Sequence, residues 1–203
     1  GQIGVRITTD EYDKLPPAPE IRVNSLAETQ VNMGDEYYMT GKGLSEGTYR
    51  FRISVNSDNY DFQYNIRKDA NHREVLEGLS QFINKARIGL SAQTVSRSSD
   101  KIMMRIESDM TGTTLGDRVF SMRDTPDGTG SSDRRGLVSY YNLDHTISYP
   151  KNASFEMNGE TRHTRSNVFS IGKALEIEMY RPGEQVAQVT YRPDSDKILD
   201  SVG

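Results

Sequence analysis

The sequence predicts an α+β fold that is mainly β, with antiparallel sheets and one main helix. Two runs, 49–55 and 60–66, alternate apolar with polar residues, which is the side-chain period of a half-buried strand. Apolar residues over 75–86 recur instead at the three-and-four spacing of one helix face. Alternation returns at 102–107. This order predicts a helix laid over the apolar face of an antiparallel sheet.

Local signals define the hairpin and the helix. Turn formers separate the two alternating runs, so the runs should pair. Asn71 is placed to cap the helix and Glu74 to close a capping box, while Gly89 can take the left-handed conformation that ends it. The inner face of the hairpin would carry Phe51, Ile53, Phe62 and Tyr64. The helix stripe would consist of Val75, Leu76, Leu79, Phe82, Ile83 and Ala86.

Shorter strands are predicted on both sides of this unit. Before it, alternation indicates strands at 2–8 and 20–23, and a further short strand is possible at 37–39 within a turn-rich stretch. After it, 119–122 is a predicted strand. The charged, Gly/Ser-rich segment 123–136 follows and has few groups to bury, so we expect a mobile loop there.

The last third predicts a meander of antiparallel strands. Residues 137–142 form a strand or a short helix, and Asn158-Gly159 is the strongest hairpin signal in the chain. The run 175–179 alternates, a turn follows, and 187–191 is the predicted return strand. Asp196 could then cap a short helix.

The strand pattern predicts two domains. Residues 1–44 and 143–203 would form one discontinuous β-rich domain, with 45–142 inserted into it as an α+β domain. The chain begins with Gly and stops soon after the predicted terminal helix begins. We therefore expect it to be a fragment of a longer protein.

The composition narrows the classes of function. The net charge of −4 is unlike that of a nucleic-acid-binding protein, which usually has a basic surface. No stretch has the apolar length of a membrane span. The sequence has no cysteine, which excludes disulfides and cysteine-based metal or redox chemistry.

Candidate reactive groups are sparse. The histidines lack metal-ligand spacing, so structural or surface roles are expected for His72, His145 and His163. No Gly-x-Ser-x-Gly elbow is present, and no catalytic residue, cofactor or metal site is predicted. Two carboxylate pairs are better explained as a sheet face and as turn or cap residues: Glu176 with Glu178, and Asp194 with Asp196. An Asp-rich loop lacks calcium-loop spacing: Asp124, Asp127 and Asp133.

Two tyrosine doublets are the candidates for partner contacts. They are Tyr37-Tyr38 and Tyr140-Tyr141. In a strand, a doublet places one ring on each face, and exposed tyrosine is common at interfaces. The alternative is that both rings of each pair pack under neighbouring loops.

The helix-bearing stretch resembles the flagellin hook IN motif. That motif is named for an Ile-Asn pair late in the helix, matched here by Ile83-Asn84, and continues into segments similar to 88–92 and 102–112. The stretches 20–30 and 153–202 resemble segments that flank this motif in the hook-associated protein 2 family, which caps flagellar filaments. The three blocks are collinear over most of the chain from Glu20 onward.

The resemblance implies a structural head region at the distal, extracellular end of a bacterial flagellum. In the longer protein, coiled-coil stalk helices would lie beyond the fragment, and stalk and head would form a homo-oligomer that assists assembly of flagellin. Flagellin and other flagellar subunits would be its partners, with cell adhesion as a further role of such heads. Nucleic-acid binding, membrane insertion and enzymatic activity are not expected, and the partner-binding residues are unknown.

Two alternatives stay open. One is a flagellin-like or hook–filament junction protein that carries the same motif. The other is an unrelated surface adhesion or carbohydrate-binding β domain, although the absence of tryptophan weakens it, since such sites commonly use aromatic platforms.

Overall fold

Antiparallel strands make up most of the regular secondary structure, which confirms the predicted α+β, mainly-β class. The computed structural model describes residues 1–126 and 135–189 together with the backbone of 197–199. The helices are α1 (His72–Ala86) and α2 (Leu137–Tyr141), with a 3₁₀ turn at Tyr12–Lys14. Neither helix in these ranges has the length and apolarity that a membrane crossing requires.

The strands follow the chain in two groups around α1. Before α1 they are β1 (Ile3–Ile7), β2 (Glu20–Ser25), β3 (Val31–Met33), β4 (Tyr37–Tyr38), β5 (Gly47–Val55) and β6 (Asp58–Ile66). After α1 they are β7 (Leu90–Val95), β8 (Lys101–Ser108), β9 (Phe120–Asp124), β10 (Thr146–Ser148), β11 (Ala153–Met157), β12 (Glu160–Thr164), β13 (Val168–Ile171), β14 (Leu175–Met179), β15 (Ala187–Gln188) and β16 (Lys197–Leu199).

The chain divides into two compact units. Unit 1 comprises 1–28 and 151–203, and unit 2 comprises 29–150. The sequence placed these boundaries after 44 and after 142. They lie elsewhere because β3 and β4 both pair with β8, and β10 pairs with β3, which draws all three short strands into unit 2.

Unit 1 consists of two four-stranded antiparallel sheets that share one core. Their strand orders are β13-β14-β1-β16 and β12-β11-β2-β15. Phe155 on one sheet stacks on Phe169 of the other, with ring centroids 4.4 Å apart. Buried side chains from both sheets fill the space between them, including Ile3, Val5, Ile21, Val23, Leu175 and Ile177.

The predicted meander of the last third is wrong. The turn after β14 leads to β15, which pairs with β2 instead of returning along β14. Strand β14 pairs with β1 and β13. The N-terminal strands β1 and β2 therefore lie between strands of the last third, β1 between β14 and β16 and β2 between β11 and β15. The hairpin at Asn158-Gly159 does form, with both residues at positive φ (51° and 84°). The residues after Asp196 form β16 rather than a helix, while Asp196 itself lies outside the described residues.

Unit 2 places α1 between two sheets. One sheet has the order β6-β5-β9, and the other β10-β3-β8-β4 with β7 also paired to β8. The Phe82 ring contacts Phe62 and Tyr64 on the hairpin, with centroids 5.5 and 5.6 Å apart. The helix therefore covers the aromatic face of the hairpin, as the sequence predicted. Its remaining core residues are Val75, Leu76, Leu79 and Ile83.

The ends of α1 match their predicted signals only in part. Asn71 caps the helix, since its Oδ1 accepts from the Glu74 N–H at 2.8 Å. The Glu74 carboxylate does not complete the capping box but pairs with Arg67. At the other end, Arg87 takes the left-handed conformation (φ 50°) two residues before Gly89, so the predicted glycine cap is wrong.

Candidate functional site

Ile83 and Asn84 join the end of α1 to the core and to the neighbouring strand. Ile83 is 1% exposed and packs inside unit 2. The Asn84 side chain accepts from the Ala92 N–H at 2.7 Å and donates to the Ala92 carbonyl at 2.9 Å. An amide can satisfy both groups of one residue in this way, because it carries a donor and an acceptor side by side. The pair therefore has a structural role, because it holds β7 against the end of α1. Its match to the hook IN motif stays a prediction.

Three of the four tyrosines in the doublets form an aromatic cluster with His72. The ring centroid of Tyr37 lies 4.5 Å from His72, 5.1 Å from Tyr140 and 5.3 Å from Tyr141. Tyr141 is 1% exposed, and its hydroxyl lies 2.8 Å from His72 Nδ1. The cluster joins the start of α1 to α2 and β4. Its role is packing, so the alternative that both rings pack fits Tyr140-Tyr141 but not the doublet that contains Tyr38.

Tyr38 differs from the other three tyrosines. It is 58% exposed on the short strand β4, and the Lys101 ammonium lies 4.9 Å from the centre of its ring. It is therefore the member of the two doublets that is available for a partner contact.

His72 is a buried, titratable group at the centre of the aromatic cluster. It is 4% exposed, and burial lowers the pKa of its imidazole from the ordinary value of 6.5. Burial disfavours the charged form because a low-dielectric surrounding solvates a cation poorly. Burial also raises the pKa of Tyr141, so both groups of the hydrogen bond are uncharged at neutral pH.

Acidification should therefore destabilise unit 2 through His72. Because the folded pKa lies below the unfolded value, the unfolded state binds more protons, and stability falls as pH drops from 7.5 through 6.5. Carboxylates with lowered pKa, such as Glu107, change the stability only at lower pH, where they take up protons. We expect urea unfolding between pH 7.5 and 5 to show a smaller pH dependence in His72→Gln than in the wild type. The control His163→Gln, at an exposed position, should show the same pH dependence as the wild type. If the free energy of unfolding changes equally with pH in all three proteins, His72 is not the group responsible.

The other two histidines lie at the surface. His145 Nδ1 is 3.2 Å from the Met33 carbonyl, and His163 is exposed on β12 opposite Ser154. Among the described residues, no three His, Asp or Glu side chains come together in a way that could hold a metal ion.

The carboxylates mostly serve the fold. Asp124 accepts from the N–H groups of Val138 and Ser139 at 2.8 and 2.9 Å, so it caps α2 from β9. Glu176 and Glu178 alternate along β14 with buried residues, as expected for an outward sheet face. The remaining predicted acidic residues lie outside the described residues: Asp127, Asp133, Asp194 and Asp196.

Each unit has at least one surface groove. One, of about 420 Å³, lies in unit 1 beside Gln2 and 181–185. The other, of about 530 Å³, lies in unit 2 where Asn84 meets β7. Neither is lined by a histidine, and the side chains of Gln2 and Asn84 are already used in hydrogen bonds within the fold.

One surface feature was missed by the sequence reasoning. Arg50 and Arg52 occupy outward positions of β5, and pairing with β9 places Arg123 directly beside Arg52. The alternation in "YRFRISV" located the first two on the wet face of a strand. The third could not be found, because nothing in the sequence indicated that 119–124 pairs with β5.

The architecture defines a class of two-unit, β-rich proteins in which one unit is contained within the sequence of the other. Solved structures with a similar fold include domains of flagellar cap proteins. The chain matches the FliD D2-D3 domains of Escherichia coli with a TM-score of 0.65 and 17% identity, over 98% of this chain and 95% of that one. FliD (HAP2) of Pseudomonas aeruginosa PAO1 matches with a TM-score of 0.65 and 16% identity, over 94% of this chain and 85% of that one.

The chain also matches part of a longer solved structure. The E. coli FliD D1-D2-D3 structure matches all of this chain with a TM-score of 0.67 and 15% identity. The chain spans 57% of that structure's length. No family model and no curated protein matches the sequence. The fold is thus that of the flagellar cap family, found at sequence identities of 15–17%.

Proposed function

We propose that this chain is the head region of a bacterial flagellar filament cap and assists the assembly of flagellin at the distal, extracellular tip. The fold match carries the proposal, because it covers both units and nearly the whole of the E. coli D2-D3 domains. A match in one unit alone would be weaker, since single β sandwiches host many functions.

The side chains of the described residues agree with a structural role. His72 and the tyrosines are used in packing, Asp124 caps a helix, and Asn84 fastens a strand. On this proposal the head carries out no reaction, and it acts in a homo-oligomer with flagellin and other flagellar subunits as partners.

Immunogold electron microscopy of the source bacterium would test the proposal. An antibody raised against this chain should label the free end of each filament. Disruption of the gene should release unassembled flagellin into the medium and leave cells without filaments.

The position of the label separates the alternatives. Label where the filament meets the hook would indicate a junction protein, and label along the filament would indicate a flagellin. Label on the cell body, with normal filaments in the disrupted strain, would indicate an unrelated adhesion domain.

A further inference from the structure

The outward face of the β6-β5-β9 sheet carries a group of arginines. Arg52 lies between Asp61 on β6 and Arg123 on β9, in direct register with both. Arg50 precedes Arg52 by two residues, so it projects from the same face. We call Arg50, Arg52 and Arg123 the arginine face.

The positive charge of this face is largely uncompensated. Arg52 forms a bidentate ion pair with Asp61, with nitrogen–oxygen distances of 2.7 and 3.1 Å. Arg50 and Arg123 are exposed, and neither is in an ion pair within 4 Å among the described residues. The nearby carboxylate is that of Asp61, whose pKa is lowered first by its pairing with Arg52 and also by the charge of Arg123. In a chain with a net charge of −4, this is a local excess of positive charge.

The rest of the face is polar and bears no large apolar side chain. The positions beside the arginines are small or amide residues: Ser54, Asn59, Gln63 and Ser121. A flat polar sheet favours an extended ligand that hydrogen-bonds along it over one that needs a cavity. It also lacks the apolar side chains that a protein inserts into a lipid surface.

The spacing of the guanidinium groups further limits the kinds of ligand that fit the arginine face. Arg50 and Arg123, the two arginines outside the Asp61 pair, are diagonal neighbours on β5 and β9, and such neighbours are about 7–8 Å apart. This is close to the roughly 7 Å that separates alternate side chains in an extended peptide. Guanidinium pairs carboxylate in bidentate geometry. We infer that the arginine face binds an extended acidic segment of a partner protein in which Asp or Glu occupies alternate positions.

A second copy of this chain is a poorer match. Among the described residues its acidic pairs at alternate positions are Glu11/Asp13, Glu107/Asp109 and Glu176/Glu178. One member of each is already in an ion pair within the chain, with Lys14, Arg105 and Arg6 respectively. The inference goes beyond the proposed function, since it rests on the sheet face alone and its test uses no flagellar component.

Fluorescence anisotropy with two labelled peptides and the whole chain would test whether the arginine face binds an alternating acidic segment. One peptide alternates glutamate with threonine, and the other has the same composition with all glutamates in one block. At low ionic strength, where screening is weak, the alternating peptide should bind more tightly. Arg50→Gln/Arg123→Gln should weaken that binding about fivefold to tenfold, as expected for two exposed charge pairs.

The control variant is Arg73→Gln/Arg162→Gln, which removes the same charge from exposed ion pairs elsewhere. It should bind the alternating peptide as the wild type does. Circular dichroism should show both double variants folded, because all four side chains are exposed. Binding should also shift the amide resonances of β5 and β9 in the wild type.

Several results would overturn the inference. The wild type could fail to bind the alternating peptide, or the two double variants could weaken binding equally. Tighter arginine-dependent binding of the block peptide, dextran sulfate or anionic vesicles would assign the face to a polyanion or a membrane. Self-association that is lost in Arg50→Gln/Arg123→Gln would assign it to a second copy.

Discussion

Replacing Gln30 by leucine should lower the free energy of unfolding by about 4 kcal/mol, because three backbone groups, two buried and one partly buried, lose their partner at once. Gln30 is fully buried in unit 2, immediately before β3. Its Oε1 accepts from the N–H groups of Val119 and Phe120 at 2.6 and 3.0 Å, and its Nε2 donates to the Phe120 carbonyl at 2.9 Å. Leucine fills a similar volume but offers no polar atom.

Urea unfolding followed by circular dichroism would measure this effect. Gln93→Leu is the matched control, because Gln93 is exposed on β7 and its replacement should change the free energy by less than about 0.5 kcal/mol. Gln30→Glu should also destabilise, since it keeps the acceptor, loses the donor and buries a charge. If Gln30→Leu costs no more than Gln93→Leu, the segment that begins β9 is held by something other than this amide.

Gln30 also shows where sequence reasoning stops. Its partners Val119 and Phe120 lie 89 and 90 positions away, and no local pattern links them. The hairpin and α1 could be predicted because their signals are local: alternation, turn residues and helical spacing. The pairings of β5 with β9 and of β15 with β2 are not local, which is why the arginine face and the true strand order were missed.

The boundary errors have the same origin. Strands β3, β4 and β10 have two or three residues each, too few for an alternating pattern to assign them to one sheet or the other. The Asn71 cap of α1 was predicted correctly, but the other two end signals failed for a different reason. The Glu74 carboxylate pairs with Arg67, and Arg87 adopts the left-handed conformation that the sequence favours at Gly89.

For the site, the sequence could predict residue types but not their surroundings. His72 and His163 look alike in the sequence, yet one is 4% exposed beside Tyr141 and the other lies on an open strand. Asn84 was noted for its place in a motif, but its two bonds to Ala92 depend on how β7 returns along α1.

Truncating Phe51 to alanine should cost about 4 kcal/mol, the usual range for a fully buried aromatic ring. Phe51 is 0% exposed at the centre of β5, with ring centroids 5.6 Å from Phe62 and 6.5 Å from Phe82. Urea unfolding of the full chain would measure the loss. A cost below about 1 kcal/mol would mean that this ring does not lie in the core of unit 2.

A double-mutant cycle then isolates the contact between the helix and the hairpin. Phe51→Ala and Phe82→Ala together should cost about 1 kcal/mol less than the sum of the single variants, because each removes the same ring pair. Phe51→Ala with Tyr38→Ala is the control, since exposed Tyr38 lies on β4 in the other sheet, and its coupling should be near zero. Coupling near zero in both cycles would show that α1 does not pack on the hairpin rings. The arrangement on which both the predicted fold and the proposed cap function depend would then be wrong.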